Sequence, residues 1–322
     1  MTDKKIIAVL GATGKQGGAV ARAILDDPEG GFTVRALTRT PASVSADAFP
    51  EIVAADLEDE ESITRAFAGA YGAFVVTNTW APQTPEDAAV RSRAKREMDQ
   101  YAVAARAARA AGVRHVVSST LEDTRPHFTH LGIDVPSSED GFTVPHFDAK
   151  AMSNRYFTDL GVPTTFLDTA SFYDNFLRAG AGPVRDEHGK LVLRLAFGDS
   201  TAALVSARDI GRTAYAILKA GHRFVGRTVG LAGDHVTGVQ MARMFSDVLG
   251  EEVTYQAVPL EALRTSAHPE AATMFQFYTQ AAEAFLAHRD LGRLRQLNPA
   301  LQSLPEWITE HREEFRRAVA PT

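Results

Sequence analysis

The chain of 322 residues contains no cysteine, which excludes disulfides, thiolate metal sites and redox switching through its own sulfur. It also lacks long hydrophobic runs. The apolar run at residues 6–10 follows charged side chains and is far shorter than the roughly 18 residues of a membrane span. An excess of positive charge is missing too, because the formal net charge is −6. We therefore expect a cytoplasmic protein that binds neither membranes nor nucleic acid.

A glycine-rich segment directly follows the apolar run and precedes a helix-like segment at residues 18–25. Its residues are Gly11, Ala12, Thr13, Gly14, Lys15, Gln16 and Gly17. Glycines let the backbone turn sharply and approach a pyrophosphate, and the free amides at the helix start hold the anion. The order strand, glycine loop, helix predicts a dinucleotide site, with an ordinary strand-to-helix turn as the alternative.

Strand-like and helix-like segments alternate through the first half of the chain. The further predicted strands are residues 33–37, 51–54, 73–76, 113–117 and 164–169. The predicted helices are residues 60–67, 86–111 and 148–161, and residues 121–145 are predicted to form a long loop. This alternation predicts an α/β fold with a doubly wound parallel sheet, the Rossmann fold, whose ligands bind beyond the carboxyl ends of the strands.

The second half has a mixed pattern that predicts a smaller α/β C-terminal lobe. We expect a nucleotide-binding domain at residues 1–170 and a substrate or partner lobe at residues 171–322. Elements near residues 204–232 are expected to return to the main sheet. Further predicted elements of the lobe are a strand at residues 191–195 and helices at residues 237–249 and 271–288.

The end of the second predicted strand indicates which dinucleotide is bound. An acidic residue there would hold a ribose 2′-hydroxyl, but the chain has Thr38 and Arg39. A guanidinium suits a 2′-phosphate, and Lys15 adds a second cation, so we predict NADP(H), with NAD(H) as the alternative. Asp56, followed by Leu57, is placed either to meet the adenine edge or to cap the helix that follows.

Other charged segments match no ligand pattern. Arg91 to Arg96, followed by Glu97 and Asp99, predict a solvated helix face rather than a phosphate-binding patch. The histidines and aspartates of residues 121–146 have no metal-ligand spacing, so no metal is predicted.

Several segments resemble NmrA-like proteins, which are atypical short-chain dehydrogenases/reductases. The glycine loop with Gln16 is one, and residues 38–41 and 69–78 are two more. The most specific is residues 144–150, Val-Pro-His-Phe-Asp-Ala-Lys. The resemblance extends over nearly the whole chain and is greatest to the NADPH-sensing NmrA-like proteins of animals and their bacterial relatives.

The resemblance implies a set of cofactor contacts beyond the glycine loop. They are Arg39 with Thr38 beside it, Asp56, Leu57, Thr77, Asn78, Thr79, Lys150, Phe172, Tyr173, Asp174 and Asn175. It also implies a basic residue on the helix after the fourth strand, for which Lys95 is the nearest candidate.

Catalysis is the point where the chain departs from typical short-chain reductases. Their tyrosine acid lies four residues before the lysine, and here that position is His146, ahead of Lys150. The candidate catalytic residues are therefore His146 and Lys150, with Tyr173 as another donor and Ser119 as a hydrogen-bonding group for a substrate oxygen.

Two functions follow from these residues. We favour an NAD(P)H-dependent oxidoreductase acting on an apolar, quinone- or enone-like molecule held among aromatic side chains. These side chains are Phe147, Phe172, Phe275, Phe277 and Tyr278, whose helical spacing near residue 277 also fits plain core packing. The alternative is a non-catalytic sensor of the NADPH/NADP⁺ ratio that regulates a protein partner. A homodimer is the assembly considered for either.

Overall fold

The computed structural model describes residues 4–137, 140–178, 180–265 and 270–320. The chain forms two compact units, each built from separated stretches. The first unit consists of Met1–Asp123, Ser137–Thr169 and Ile210–Val229. The second consists of Thr124–Pro136, Ala170–Asp209 and Gly230–Thr322.

The strands are short and are distributed over three sheets. In chain order they are β1 (Lys5–Leu10), β2 (Phe32–Thr38), β3 (Glu51–Ala54), β4 (Gly72–Val75), β5 (His115–Thr120), β6 (Thr164–Asp168), β7 (Ser171–Phe172), β8 (Val184–Arg185), β9 (Leu191–Leu195), β10 (Thr201–Val205), β11 (Thr228–Gly230), β12 (Asp234–Thr237) and β13 (Val253–Ala257).

The helices alternate with the strands in the first half and predominate toward the C-terminus. They are α1 (Lys15–Leu25), α2 (Glu60–Phe67), α3 (Pro85–Val90), α4 (Arg93–Ala110), α5 (Arg125–Leu131), α6 (Pro145–Asp159), α7 (Ala207–Ala220), α8 (Gly238–Leu249), α9 (Leu260–Arg264), α10 (Glu270–Gln280), α11 (Ala282–Ala287), α12 (Leu291–Leu297), α13 (Leu304–Glu310) and α14 (Arg312–Ala318).

The main sheet has seven strands in the order β11-β6-β5-β4-β1-β2-β3. Pairing from β3 through β1 and β4 to β6 is parallel throughout, and the strand order reverses direction at β1. The strands β4, β5 and β6 are completely buried, as expected when helices cover both faces, whereas the edge strand β3 is partly exposed. The predicted doubly wound α/β fold is therefore confirmed. β11, a strand of the main sheet, lies within residues 204–232, from which elements are expected to return to this sheet.

The strand register places the carboxyl ends of the central strands along one edge. Leu10 lies opposite Leu37, and Val75 lies opposite Ser118. The segments that follow β1, β2, β3, β4 and β5 therefore begin at the same edge of the sheet. In open parallel sheets this edge binds the ligand.

Two predicted helices are each divided into two. The helix predicted at residues 86–111 ends at Val90, because Arg91 is extended with φ −155°, and α4 begins after Ser92. The Ser92 hydroxyl accepts from the Lys95 amide at 3.1 Å and so caps α4. The helix predicted at residues 271–288 is α10 and α11, separated by Ala281.

Two other boundaries differ from the prediction. The loop predicted at residues 121–145 contains α5, and Ser138 and Glu139 within it lie outside the described residues. The helix predicted to start at residue 148 starts at Pro145, whose fixed φ suits the first helical position. Asp148 then accepts hydrogen bonds from the amides of Thr143 and Val144 at 2.7 and 3.0 Å, which fixes the chain entering α6.

The second unit contains the two smaller sheets, with strand orders β12-β10-β7 and β13-β9-β8. β10 pairs antiparallel with β12 and parallel with β7, whereas β13 and β9 are parallel. Together with α8 to α14 these sheets form the mixed α/β lobe that the sequence predicts.

Candidate functional site

The glycine loop follows β1 with a backbone that only glycines allow. Gly11 has φ +62°, and a Cβ on Gly17 would lie 2.3 Å from the Gly11 carbonyl oxygen. The helix begins at Lys15, three residues before the predicted start, so the segment from Lys15 to Gly17 is its first turn. Its N-cap, Gly14, has no side chain to cap the amides of this turn. The loop therefore presents backbone donors to an anion.

Two cations lie exposed on the segments that follow β1 and β2. Lys15 is in the first turn of α1, and Arg39 directly follows β2. Across the described residues, neither side chain makes a hydrogen bond or ion pair with another group. Both are placed to pair with an anionic group at the sheet edge.

Asp56 and Leu57 follow β3 and are partly buried. The Asp56 carboxylate accepts from the Glu58 amide at 3.1 Å and forms a local turn. The cap of α2 is Asp59, which accepts from the Ser62 amide at 3.1 Å. The capping role considered for Asp56 therefore belongs to Asp59.

A buried polar cluster lies where β4 ends. Thr77 and Thr79 donate to Glu97 Oε1 and Oε2, each at 2.5 Å. Lys150, on α6, donates to Glu97 Oε1 and also to Thr77 Oγ1, the latter at 2.9 Å. Asn78 is exposed between the two threonines, and its side chain accepts from the Trp80 amide at 3.1 Å. The structure therefore brings the predicted Thr77, Thr79 and Lys150 together around an unpredicted carboxylate.

The charge state of Lys150 follows from this cluster. Burial by itself lowers the pKa of Lys150, but its interactions with Glu97 and, after it, Tyr101 outweigh that effect and leave the pKa above its ordinary value. The ammonium lies 5.5 Å from the centre of the Tyr101 ring. At neutral pH Lys150 is therefore a protonated, charge-compensated hydrogen-bond donor.

The hydroxyl and the carbonyl of Ser119, near the end of β5, both form hydrogen bonds close to this cluster. Its hydroxyl donates to Gln16 Oε1 at 2.8 Å, and its carbonyl accepts from the Tyr101 hydroxyl at 2.5 Å. Burial raises the pKa of Tyr101. These bonds link the first turn of α1 to β5 and α4. The oxygen of Ser119 keeps the capacity to accept from a further donor.

His146 is in the first turn of α6, one turn before Lys150. Its ring centre lies 5.3 Å from the ring of Trp80 and 4.9 Å from that of Phe147. Burial lowers the pKa of His146 to about 4, with the positive charge of Lys150 acting in the same direction. The imidazole is therefore neutral at pH 7. Trp80 itself is 54 % exposed.

The predicted residues 172–175 belong to the second unit. Phe172 is in β7, and Asp174 accepts from the Ala207 amide at 2.9 Å at the start of α7. Tyr173 is completely buried and donates to the Gln302 carbonyl at 3.4 Å. Burial raises the pKa of Tyr173, and the charges of Asp234 and Asp209 add to this effect. Its phenol is therefore held in the core of the second unit.

The aromatic residues near position 277 also belong to the second unit. Phe277 and Tyr278 are buried, and both rings contact Phe285, at 6.2 and 5.2 Å between centres. Phe275 contacts Phe197 edge to face at 5.0 Å. Of the two interpretations offered by the sequence, these contacts favour core packing.

Glu97 is the residue of this cluster that the sequence interpretation missed. The segment Arg91 to Arg96, followed by Glu97 and Asp99, is predicted to be a solvated helix face. In the structure Arg96 is buried and donates to two backbone carbonyls, and Glu97 is 1 % exposed. The available signal was helical spacing. Glu97 continues the stripe of buried α4 residues, lying three residues after Ala94 and four before Tyr101. Lys95, the candidate basic contact, instead pairs with Asp140 at 2.5 Å.

Residues 3–288 match the model of the NmrA-like family. The chain belongs to this family. A curated family relative, the NmrA-like family domain-containing oxidoreductase himF of Aspergillus japonicus, is 30 % identical over 282 residues, covering 82 % of this chain and 80 % of the relative.

Solved structures share the fold over nearly the full length of this family member. NmrA, a negative transcriptional regulator, superposes with a TM-score of 0.73 at 20 % identity and covers 99 % of both chains. The NADPH-dependent quinone oxidoreductase QOR2 of Escherichia coli, solved with NADPH, superposes with a TM-score of 0.69 at 25 % identity, covering 94 % of this chain and 99 % of its own.

The described residues contain neither a cluster of metal ligands nor a helix able to span a membrane. Over residues 4–137, 140–178, 180–265 and 270–320, no group of three or more histidine, aspartate or glutamate side chains is arranged to hold a metal ion. Within the same described ranges, no helix combines the length and the apolar character that crossing a bilayer requires.

Proposed function

We propose that this chain is an NADP(H)-dependent oxidoreductase that reduces a flat, apolar acceptor such as a quinone or an enone. The observation that carries the proposal is an exposed aromatic side chain, Trp80, next to the sheet edge whose loops can bind a dinucleotide. The indole of Trp80 covers His146, one turn before Lys150. Relatives bearing the name oxidoreductase, and the NADPH complex of QOR2, support the reaction class.

The cofactor assignment rests on the donors of the sheet edge. The uncapped amides at the start of α1 fit a pyrophosphate, and a Cβ on Gly17 would fill the space that the close approach needs. Arg39 and Lys15 are exposed and unpaired among the described residues, as a 2′-phosphate site requires. Thr77, Thr79 and Lys150 would hold the remainder. The bound cofactor supplies a hydride, and NAD(H) remains the weaker alternative.

Reduction of such an acceptor also requires a proton donor. Lys150 is charge-compensated by Glu97, and Ser119 already donates to Gln16. A His146 pKa of about 4 leaves roughly one imidazole in a thousand protonated at pH 7. If His146 is the acid, turnover must therefore rise as the pH falls toward 4.

Steady-state oxidation of NADPH with a panel of quinones, enones and simple ketones tests the proposal. We expect turnover with the flat conjugated acceptors and little with the ketones. Trp80→Ala should raise KM for the acceptor about fivefold, because one aromatic stacking contact contributes roughly 1 kcal/mol. Val90→Ala, at another exposed apolar side chain, is the control. Absence of turnover with every conjugated acceptor would contradict the proposal.

A second candidate, a non-catalytic NADPH/NADP⁺ sensor acting on a protein partner, has its own supporting observation. The polar groups around Lys150 are paired with one another, and His146 is neutral, so none of these groups is poised as an acid at pH 7. Equilibrium titration separates the two candidates. A sensor binds NADPH and NADP⁺ with very different affinities and consumes neither, whereas an oxidoreductase consumes NADPH when an acceptor is added.

A further inference from the structure

One carboxylate, Glu97, contacts three residues that are predicted to hold the cofactor. Its Oε1 accepts from Thr77 and Lys150, and its Oε2 accepts from Thr79. The donors come from the segment after β4 and from α6, whereas Glu97 is on α4. The carboxylate is therefore the common partner of groups that arrive from two separate elements.

Burying the Glu97 carboxylate has a desolvation cost that an apolar residue at this position would not have. The neighbouring buried positions on this face of α4 are Ala94, Tyr101 and Ala104. Burying a carboxylate among them requires compensating donors, and a well-packed apolar residue would often be at least as stable as a buried ion pair. Stability alone therefore gives no reason for a glutamate at this position.

We propose that Glu97 is the positioning residue of the cofactor site. It orients Thr77, Thr79 and Lys150 and compensates the charge of Lys150, which is thereby held as a fixed hydrogen-bond donor rather than an acid. This inference rests on the proposed binding of NADP(H) by the first unit. It adds to that proposal a residue that makes no contact with the cofactor itself and acts through the three residues that do.

The charge on Lys150 provides a way to detect this role. The titratable groups that face its ammonium are Glu97 and Tyr101 on α4 and His146 on α6. Of these groups, Glu97 is the carboxylate that pairs directly with the ammonium. Without this carboxylate, burial would draw the pKa of Lys150 down toward neutrality, and a charge-assisted hydrogen bond to the cofactor would be lost as the lysine deprotonates.

The experiment is the dissociation constant for NADPH measured from pH 6 to pH 9 by direct titration. For the native chain we expect less than a threefold change over this range. Glu97→Gln keeps the shape and an acceptor oxygen but removes the charge. It should weaken binding about tenfold at pH 7, and the affinity should fall at least tenfold further by pH 9 as Lys150 loses its proton.

Two variants separate positioning from simple support of the fold. Glu97→Asp retains the charge and should keep the flat pH profile. Asp99→Asn makes the same chemical change two residues away on the exposed side of α4, where the carboxylate pairs with Arg91, and should leave both affinity and profile unchanged. A Glu97→Gln profile parallel to that of the native chain would overturn the proposal.

Two further outcomes are decisive. If Glu97→Gln does not fold, the double variant with Lys150→Met removes the uncompensated charge. Recovery of folding with weak, pH-independent binding then supports the proposal, and failure to recover overturns it. If the native chain binds none of NADPH, NADP⁺, NADH and NAD⁺, the proposed function and this inference fall together. If it binds NADPH but Glu97→Gln behaves like the native chain, only this inference falls.

Discussion

At the glycine-loop end of the sheet edge, the cations Lys15 and Arg39 are exposed and unpaired among the described residues, and the first-turn amides of α1 lack a capping side chain. At the other end, Lys150 is 8 % exposed and is bound to Glu97 and Thr77. One end keeps its donors available, and the other satisfies them within the protein.

The difference corresponds to what each end is proposed to bind. A pyrophosphate or 2′-phosphate brings its own charge, so cations awaiting it need no internal partner and remain hydrated until it arrives. A nicotinamide riboside brings uncharged hydroxyls, so a buried lysine that faces it must be compensated by the protein. Substitution of a cation should therefore affect binding at the first end and folding at the second.

Lys150→Met should have the largest effect, because it leaves the Glu97 carboxylate buried without its cation. Breaking a buried ion pair in this way costs about 3–5 kcal/mol of unfolding free energy. Urea denaturation of the variant and the native chain measures the loss. Lys219→Met is the matched control, since Lys219 pairs with Asp27 while half exposed, and its loss should cost no more than about 1 kcal/mol. Equal losses at the two sites would contradict the comparison.

Gly17→Ala tests whether the backbone of the glycine loop binds the cofactor. The added Cβ would lie 2.3 Å from the Gly11 carbonyl oxygen and 2.4 Å from that of Leu10, so the loop must move. We expect NADPH binding to weaken by about a hundredfold, equivalent to ~2.7 kcal/mol, which is within the usual cost of overpacking. Gly292→Ala in α12 is the control, because its Cβ meets only a side-chain oxygen, at 3.1 Å. Unchanged affinity in Gly17→Ala would exclude this loop from the site.

The sequence predicts the glycine-loop end of the site but not the hydrogen bonds around Glu97. The glycine loop is a local motif whose backbone geometry and helix start are encoded within a few residues, and α2 and β3 have the bounds that the sequence predicts. The Glu97 cluster joins three segments that are 18 to 73 residues apart along the chain, so no local pattern specifies its hydrogen bonds. The position of Glu97 in a buried helical stripe predicts only that its charge needs a partner.

The boundary errors have a similar physical origin. The helix-favouring composition of residues 86–111 concealed the break at Arg91, whose guanidinium bonds to Glu58, Asp87 and Asp99 at 2.6–2.8 Å. Glu58 is distant in the sequence, and these contacts hold Arg91 in an extended conformation against its helical propensity. Local propensity therefore predicted the presence of helix, and tertiary ion pairs decided where it divides.

Arg39→Met should weaken NADPH binding about ten- to a hundredfold while leaving NADH binding nearly unchanged. The guanidinium is expected to pair with the 2′-phosphate, and a charge-assisted hydrogen bond contributes roughly 1.5–3 kcal/mol. Because Arg39 is exposed and unpaired in the described structure, unfolding free energy should change by less than about 0.5 kcal/mol. Isothermal titration with both cofactors measures the preference. Equal weakening of NADPH and NADH would show that Arg39 does not recognise the 2′-phosphate.

His115 provides the smallest expected effect and tests whether the first unit tolerates an uncompensated buried cation at all. It is 1 % exposed at the start of β5, its Nε2 bonds to the Thr165 hydroxyl at 2.9 Å, and burial lowers its pKa to about 4. The unfolded chain has a histidine pKa near 6.5, so it binds more protons than the folded chain between about pH 6.5 and 4. Stability is therefore complete above about pH 6.5 and falls as the pH decreases through this window.

At pH 5, the lowered pKa of His115 should decrease the free energy of unfolding by about 1–2 kcal/mol. His115→Gln retains a hydrogen bond to Thr165 but has no charge to gain, so it should make the decrease of Tm between pH 7 and pH 5 shallower. His188→Gln, at an exposed histidine, should leave the decrease of Tm between pH 7 and pH 5 the same as in the native chain. If His115→Gln does not change the decrease of Tm between pH 7 and pH 5, β5 accommodates the charged imidazole. Burial without a carboxylate would then be tolerable here, and the case for Glu97 as the compensating charge beside Lys150 would weaken with it.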